Sequence, residues 1–117
     1  MKNDIINNIV SGNLERGIYL VFSDYNNITH NTVLYNTRTG IYFNNNDHYN
    51  YIAYNNASFN TWDGIGIESD MDYNVIVNNE IHGNLHSGII LYGTTFQKVE
   101  NNVITNPISG GYDCIKV

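Results

Sequence analysis

Basic residues, cysteine and proline are all scarce in this 117-residue chain. Five lysines and arginines stand against eleven aspartates and glutamates, which gives a formal net charge of −6. Nucleic acids and anionic membrane surfaces bind clusters of basic side chains, so this composition argues against both partners. The single cysteine, Cys114, excludes an internal disulfide and does not indicate a redox compartment. One proline among 117 residues excludes collagen-like sequence.

Long apolar runs are missing as well. No stretch approaches the roughly 18 apolar residues of a membrane-spanning helix, so we expect no membrane insertion. The first residues, Met1 to Ile5, lack the apolar segment of a secretory signal peptide.

The chain does contain a repeat of asparagine and glycine with a period of 22 to 24 residues. A period in this range is the signature of a solenoid. One asparagine series is Asn13, Asn36, Asn60, Asn84 and Asn106, and a second lies five residues earlier, at Asn8, Asn31, Asn55, Asn79 and Asn101. A glycine series follows four residues after the first, at Gly17, Gly40, Gly64, Gly88 and Gly110.

Short apolar stretches between these residues alternate with polar ones, which is strand periodicity. The pattern predicts an all-β parallel β-helix of about five coils, a single domain over 1–117 in which equivalent residues stack about 4.8 Å apart. We expect the asparagines at the bends, where Asn tolerates left-handed backbone and bonds along the axis. We expect the glycines to supply positive-φ turns. In the fifth coil Lys98 falls where an apolar residue is expected.

The repeat N-x-I-x-x-N-x-[VI]-x-x-N-x-x-x-G-I-x-[LF] resembles the right-handed parallel β-helix repeats of the pectin-lyase-like superfamily. Within it, the pattern is most similar to the NosD-like, carbohydrate-binding and sugar-hydrolase (CASH) type. The resemblance implies a right-handed coil over nearly the whole chain. It does not fix the function, because one fold hosts many functions. The resemblance allows carbohydrate binding, surface architecture, or activity as a polysaccharide hydrolase, lyase or epimerase. The scattered Met1, Met71 and Cys114 offer no copper-site cluster.

One candidate site is an acidic corner. Asp24, His48 and Asp72 are 24 residues apart and should stack in one column. Carboxylates separated by roughly 5 to 9.5 Å suit glycoside hydrolysis, and an enzyme would use Asp47, His48, Asp70 and Asp72. A Ca²⁺ ion held by Glu68, Asp70 and Asp72 is one alternative, and a solvated edge without chemistry is the other.

A second candidate site is aromatic. Arg38, Trp62 and His86 should occupy one column, with Asp63 beside Trp62, and Tyr19 and Tyr42 should share an outward strand column beside Gly66. Exposed aromatic faces flanked by polar groups suit sugar rings. The alternative is a self-contained stack in which Arg38 covers Trp62. The Tyr25, Tyr49 and Tyr73 column is predicted to pack on itself.

These patterns favour a non-catalytic carbohydrate-binding or cell-surface module. The alternatives are a carbohydrate-active enzyme and a purely structural repeat unit that assembles through its coil ends. We expect no cofactor apart from the Ca²⁺ alternative. The chain opens in register with a repeat and without a polar cap, so we expect a segment of a longer array from an extracellular or cell-surface protein. Its open first coil predicts a homodimer through the N-terminal coil.

Overall fold

The computed structural model describes residues 2–105 and 114–117 of the chain. The chain consists of short strands joined by bends, and within these residues there is no helix. The strands are β1 (Asp4–Ile6), β2 (Ile9–Ser11), β3 (Ile18–Val21), β4 (Asn27–Thr29), β5 (Thr32–Leu34), β6 (Ile41–Asn44), β7 (Tyr51–Ala53), β8 (Asn56–Ser58), β9 (Ile65–Glu68), β10 (Val75–Val77), β11 (Glu80–His82), β12 (Ile89–Tyr92), β13 (Lys98–Glu100), β14 (Val103–Thr105) and β15 (Ile115–Lys116).

Each strand pairs in parallel with the strand three positions later in the chain, which produces three five-stranded sheets that run along one axis. The first sheet has the order β1-β4-β7-β10-β13, the second β2-β5-β8-β11-β14 and the third β3-β6-β9-β12-β15. Each set of three consecutive strands is therefore one coil of a solenoid. Four coils are described completely and the fifth in part, which confirms the predicted all-β parallel β-helix.

The core consists of apolar ladders, in which equivalent residues of successive coils stack as expected. Ile28, Ile52 and Ile76 stack in register on the first sheet and are fully buried. On the third sheet, Ile41, Ile65 and Ile89 do the same. Burying a side chain of this size stabilises the fold by about 1.5–3 kcal/mol. The ladders thus hold successive coils in one register.

The asparagine ladders also lie inside the bends, as predicted. The Asn36 side chain donates from Nδ2 to Asn60 Oδ1 over 3.0 Å, and Asn60 donates in turn to Asn84 Oδ1 over 3.1 Å. Each Oδ1 atom also accepts the backbone N–H of the asparagine one coil earlier. All three side chains are buried, so these bonds satisfy polar groups that water does not reach.

The predicted positions of the left-handed backbone were wrong for both residue types. Positive φ occurs mainly at the residue before the ladder asparagine, as at Tyr35 (55°) and Phe59 (56°). The glycines that precede the third sheet do not have positive φ. They are needed for close approach, since a Cβ atom on Gly64 would lie 2.5 Å from Ile81 Cγ2 and 2.8 Å from the carbonyl oxygen of Gly88.

The predicted register of the fifth coil was wrong by one residue. Asn79 donates to Asn102, not to Asn101, and Ile104 instead of Val103 pairs with Ile81. This shift turns Lys98 outward opposite Val75 and places Val99 in the core column of Ile76. A one-residue slip reverses the face of every side chain in a strand, so the core decides the register. The predicted ladder members Asn106 and Gly110 lie outside the described residues.

Residues 2–105 and 114–117 contain no helix that is long and apolar enough to cross a membrane.

Candidate functional site

The turn that enters the third sheet places one column of large polar and aromatic side chains on the surface. It brings together Glu15, Arg38, Trp62 and His86 from four successive coils. The Arg38 guanidinium lies 5.2 Å from the Trp62 ring centroid, and its Nη1 atom is 3.2 Å from Glu15 Oε2. The rings of Trp62 and His86 are 5.7 Å apart and tilted by 32°. The predicted column is therefore present.

Asp63 is buried on the inner side of this column and holds the His86 side chain in place. Its side chain is only 3% exposed, and its Oδ1 atom lies 2.7 Å from His86 Nδ1. The same oxygen accepts the backbone N–H of Ser87 over 2.9 Å, and Oδ2 accepts the Thr39 hydroxyl over 3.4 Å. These contacts hold the imidazole in one orientation beside Trp62. Asp63 thus positions His86 and has little surface of its own to offer a ligand.

Two tyrosines and Arg16 form the part of the site that lies on the third sheet. Tyr19 and Tyr42 are paired in register with ring centroids 5.6 Å apart. The Arg16 guanidinium lies 4.9 Å from the Tyr19 ring and 4.3 Å from the Tyr42 ring. A guanidinium at this distance from an aromatic face makes a favourable cation–π contact. Arg16 therefore ties the first two coils of this surface together.

Tyr42 is not the exposed aromatic face that was predicted, since it is only 8% exposed. Its ring lies over Gly66, where a Cβ atom would come within 2.9 Å of Tyr42 Cδ2. Its hydroxyl donates to Glu68 Oε2 over 3.0 Å. Burial, together with the charge of Glu68, raises the pKa of Tyr42 to about 12. Tyr42 is therefore a neutral wall of the site, while Tyr19 and Trp62 remain about half exposed.

Two concave surfaces adjoin Trp62. The first has a volume of about 150 Å³ and is lined by Arg16, Arg38, Thr39, Tyr42, Trp62 and Glu68. The second has a volume of about 320 Å³ and is lined by Thr61, Trp62, Leu85 and His86. Trp62 belongs to both, so the exposed indole separates two neighbouring recesses that carry hydrogen-bonding groups. The predicted residues Arg38, Tyr42, Trp62 and His86 all line them.

Sequence reasoning missed Arg16, Glu15 and Thr39. Arg16 belongs by register to the column of Thr39 and Asp63, yet its long side chain leans across to the tyrosine column. A column assignment locates the Cα atom and not the head of a long side chain. The available signal was the position itself, because Arg16 directly precedes Gly17 as Thr39 precedes Gly40.

At the acidic corner the predicted column exists, but its side chains are engaged with the backbone. Asp24 Oδ1 accepts the backbone N–H of His48 over 2.7 Å, and His48 Nδ1 accepts that of Asp72 over 3.0 Å. Asp72 in turn accepts the backbone N–H and the hydroxyl of Thr95. Each of these side chains thus accepts a backbone hydrogen bond from the following coil. Asp70 is exposed and has a φ of 48°.

Asp47 and Glu68 are not available at the acidic corner as predicted: Asp47 is close to Asp24 and His48 but buried, and Glu68 is bonded elsewhere. Asp47 is fully buried, and its two carboxylate oxygens accept the backbone N–H groups of Ser23 and Asn44. Burial raises the pKa of Asp47 above its usual value. Glu68 faces Tyr42 instead. Within residues 2–105 and 114–117, no group of three or more His, Cys, Asp or Glu is arranged to hold a metal ion. Calcium binding by Glu68, Asp70 and Asp72 stays a prediction.

The parallel coils and the inward apolar ladders define this protein as a β-solenoid. The family model described as the right-handed beta helix region matches residues 1–115. The chain therefore belongs to the right-handed β-helix family. Searches of curated proteins and of solved structures each gave no match.

Proposed function

We propose that this chain is a non-catalytic carbohydrate-binding module whose binding surface is the patch around Trp62. One observation carries the proposal: the half-exposed Trp62 separates two adjoining recesses lined by polar groups. A sugar ring has an apolar face that packs on an indole and hydroxyls that need hydrogen-bond partners. Arg38, Thr61 and His86 supply such partners beside the ring.

The second recess is the place where a sugar ring would pack against the exposed edge of the indole, between Trp62, Leu85 and His86. Arg38 lies over Trp62 toward the preceding coil, so that face of the indole is already occupied. On the other side the rings diverge by 32°, and Leu85, which is 59% exposed, extends the apolar surface. A glycan that crosses Trp62 would then meet Arg16 and Glu68 in the first recess. The NosD-like, CASH type of β-helix is the finer family assignment that this function would fit.

A glycan array probed with the 117-residue chain tests the proposal, followed by calorimetric titration of each hit. We expect Trp62→Ala to weaken binding by about tenfold, since one aromatic contact contributes roughly 0.5–1.5 kcal/mol beyond its buried area. Tyr54→Ala is the matched control, because Tyr54 is similarly exposed (52%) but lines neither recess. Its affinity should not change. An array without hits, or equal losses in both variants, would contradict the proposal.

The same hits test the alternative of a carbohydrate-active enzyme. A reducing-end assay on each bound glycan should show no product. Turnover that disappears in Asp72→Asn would instead establish hydrolysis at the acidic corner. Turnover that survives Asp72→Asn but disappears in His86→Ala would place the chemistry beside Trp62.

A further inference from the structure

A second aromatic surface lies at the bend that precedes the first sheet, away from Trp62. Tyr25, Tyr49, Tyr73 and Phe96 stack there with ring centroids 4.9, 5.1 and 5.2 Å apart and interplanar angles of 4–5°. This confirms the predicted packing of the tyrosine column and adds Phe96 to it. Inside the stack each ring face is covered by the next ring. Only the two ends can therefore offer an aromatic face to a ligand.

The stack is interrupted at its first coil. Asn3 bonds to Asn26, so the residue before Asn3 occupies the column position one coil before Tyr25. That residue is Lys2, which carries no ring. Tyr25 is accordingly 55% exposed, against 47% for Tyr49. The outer face of Tyr25 therefore lacks the aromatic neighbour that Tyr49 has on both sides.

A concave surface of about 430 Å³ opens beside the first two rings of the stack. It is lined by Lys2, Tyr25, Asn26, Asn27, Tyr49 and Tyr51. Lys2 and Tyr51 are exposed and Asn27 is half-buried, so an ammonium group, a phenol and an amide border the surface. Within the described residues Lys2 makes no ion pair. Its charge is thus available to a ligand that stacks on Tyr25.

We propose that this surface binds a planar aromatic anion, specifically an aryl carboxylate. The ligand ring packs against the exposed part of Tyr25, beside the Lys2 side chain. The carboxylate pairs with the Lys2 ammonium, and Asn27 provides a hydrogen-bond donor at the edge. Offset or parallel stacking of this kind is favourable for aromatic pairs. The site is separate from the Trp62 patch and does not depend on the proposed carbohydrate-binding function.

The opposite end of the stack provides an internal comparison. Phe96 is 71% exposed, and Lys98 follows it two residues later, as Asn27 follows Tyr25. There the ammonium is already engaged, because Lys98 Nζ lies 3.3 Å from Glu100 Oε2. An aromatic anion at that end would meet a carboxylate as well as a cation. Binding is therefore expected at the Tyr25 end alone.

Titration of the full chain with naphthoate, followed by calorimetry and by the NMR signals of the tyrosine rings, tests this proposal. We expect one saturable site and an upfield shift of the Tyr25 ring protons. Lys2→Gln should weaken naphthoate binding by roughly two- to fivefold, as expected for an exposed ion pair. The same variant should leave the affinity for uncharged naphthylmethanol unchanged. Tyr25→Leu should weaken both ligands by about tenfold.

Because Tyr25 has positive φ, Leu at this position could perturb the bend, and the Lys2→Gln comparison does not share that difficulty. Phe96→Leu is the control at the other end and should change neither affinity. The proposal is overturned if Lys2→Gln affects the charged and uncharged ligands equally or not at all. It is equally overturned if glucuronate binds as tightly as naphthoate, which would indicate a sugar site, or if Phe96→Leu abolishes binding.

Discussion

An asparagine at the centre of a ladder can make four side-chain hydrogen bonds to the coils on either side, as Asn60 does. Asn60 Oδ1 accepts from the backbone N–H and from Nδ2 of Asn36, while Asn60 Nδ2 donates to Asn84 Oδ1 and to the carbonyl oxygen of Val33. No other residue type combines an acceptor and two donors in so short a side chain. The asparagine richness of the chain therefore follows from the bends.

Replacement of Asn60 by alanine should reveal the value of these bonds. The variant leaves buried partners in three coils without hydrogen bonds, and we expect a loss of about 3 to 5 kcal/mol in the free energy of unfolding. Asn13→Ala is the matched control, because Asn13 is exposed and its side chain makes one ladder bond, to Asn36. Its loss should stay below about 1 kcal/mol. Urea unfolding measures both, and equal losses would contradict a cooperative ladder.

A buried carboxylate gives the fold a pH dependence of unusual sign. Burial raises the folded-state pKa of Asp47 above its usual value of 3.8. Because the folded pKa is raised, the stability that Asp47 contributes is fully present below pH 3.8 and is lost as the pH rises through the folded pKa. The difference in unfolding free energy between wild type and Asp47→Asn should therefore favour wild type more at pH 4 than at pH 7. A pH-independent difference would show that Asp47 is not desolvated.

At the scale of the strands, one glycine of the third sheet determines where the Tyr42 ring lies, and Tyr42 lines the first recess beside Trp62. Tyr42 on β6 is opposite Gly66 on β9, and the missing side chain lets the phenol ring lie flat across the sheet toward Glu68. Arg16 then covers the same ring from the first coil. Strand positions two residues apart share one face, so this overlap arranges the whole floor of the first recess beside Trp62.

Glu68→Gln tests that arrangement. Burial is the larger cause of the raised Tyr42 pKa and the charge of Glu68 the smaller, so the variant should lower this pKa from about 12 while keeping it above 10.0. The stability that Tyr42 contributes is present below pH 10.0 and is lost as the pH rises through the folded value. Ultraviolet absorption of tyrosinate, with Tyr42→Phe as the reference, measures the change. An unchanged pKa would mean that Glu68 does not contact the phenol.

The register of the strands was predictable because identical residue types stack on one another. One column is assigned without ambiguity by its three isoleucines, Ile28, Ile52 and Ile76. The register of the fifth coil was predicted wrongly because residues 101 and 102 are both asparagine. Only the burial of Val99 and Ile104 decides between Asn101 and Asn102.

The site was less predictable than the register. Column spacing placed Arg38, Trp62 and His86 together, since they are adjacent Cα positions on successive coils. It could not show that Asp47 turns inward at an irregular bend, nor that Arg16 crosses from its own column to the tyrosines. Side-chain direction follows strand periodicity only within the strands, and Arg16 and Asp47 both lie outside them.

At the scale of the whole molecule, the hydrogen bonds from one ladder asparagine to the next all run in one direction along the axis. In the described ladders, backbone N–H and Nδ2 groups donate to the Oδ1 atom of the following coil, as from Asn3 to Asn26 and from Asn8 to Asn31. The first coil leaves β1, β2 and β3 each with one unpaired edge. Apolar side chains are exposed there, including Ile9 at 81% and Phe22 at 73%. Open strand edges of this kind recruit further strands.

We therefore predict that the 117-residue chain, expressed alone, forms a dimer through its N-terminal coils. A two-fold contact covers the open edges and the partly buried Ile5 and Val10 on both copies without growing a fibre. Ile6→Lys should dissociate this dimer, because it places a charge in the contact, whereas Val103→Lys on the last coil should leave it intact. Light scattering at micromolar concentration measures both variants. A monomeric wild type would sink the proposal, and so would dissociation by Val103→Lys, since a contact that needs both ends of the solenoid is head-to-tail and would build open arrays instead of a closed pair.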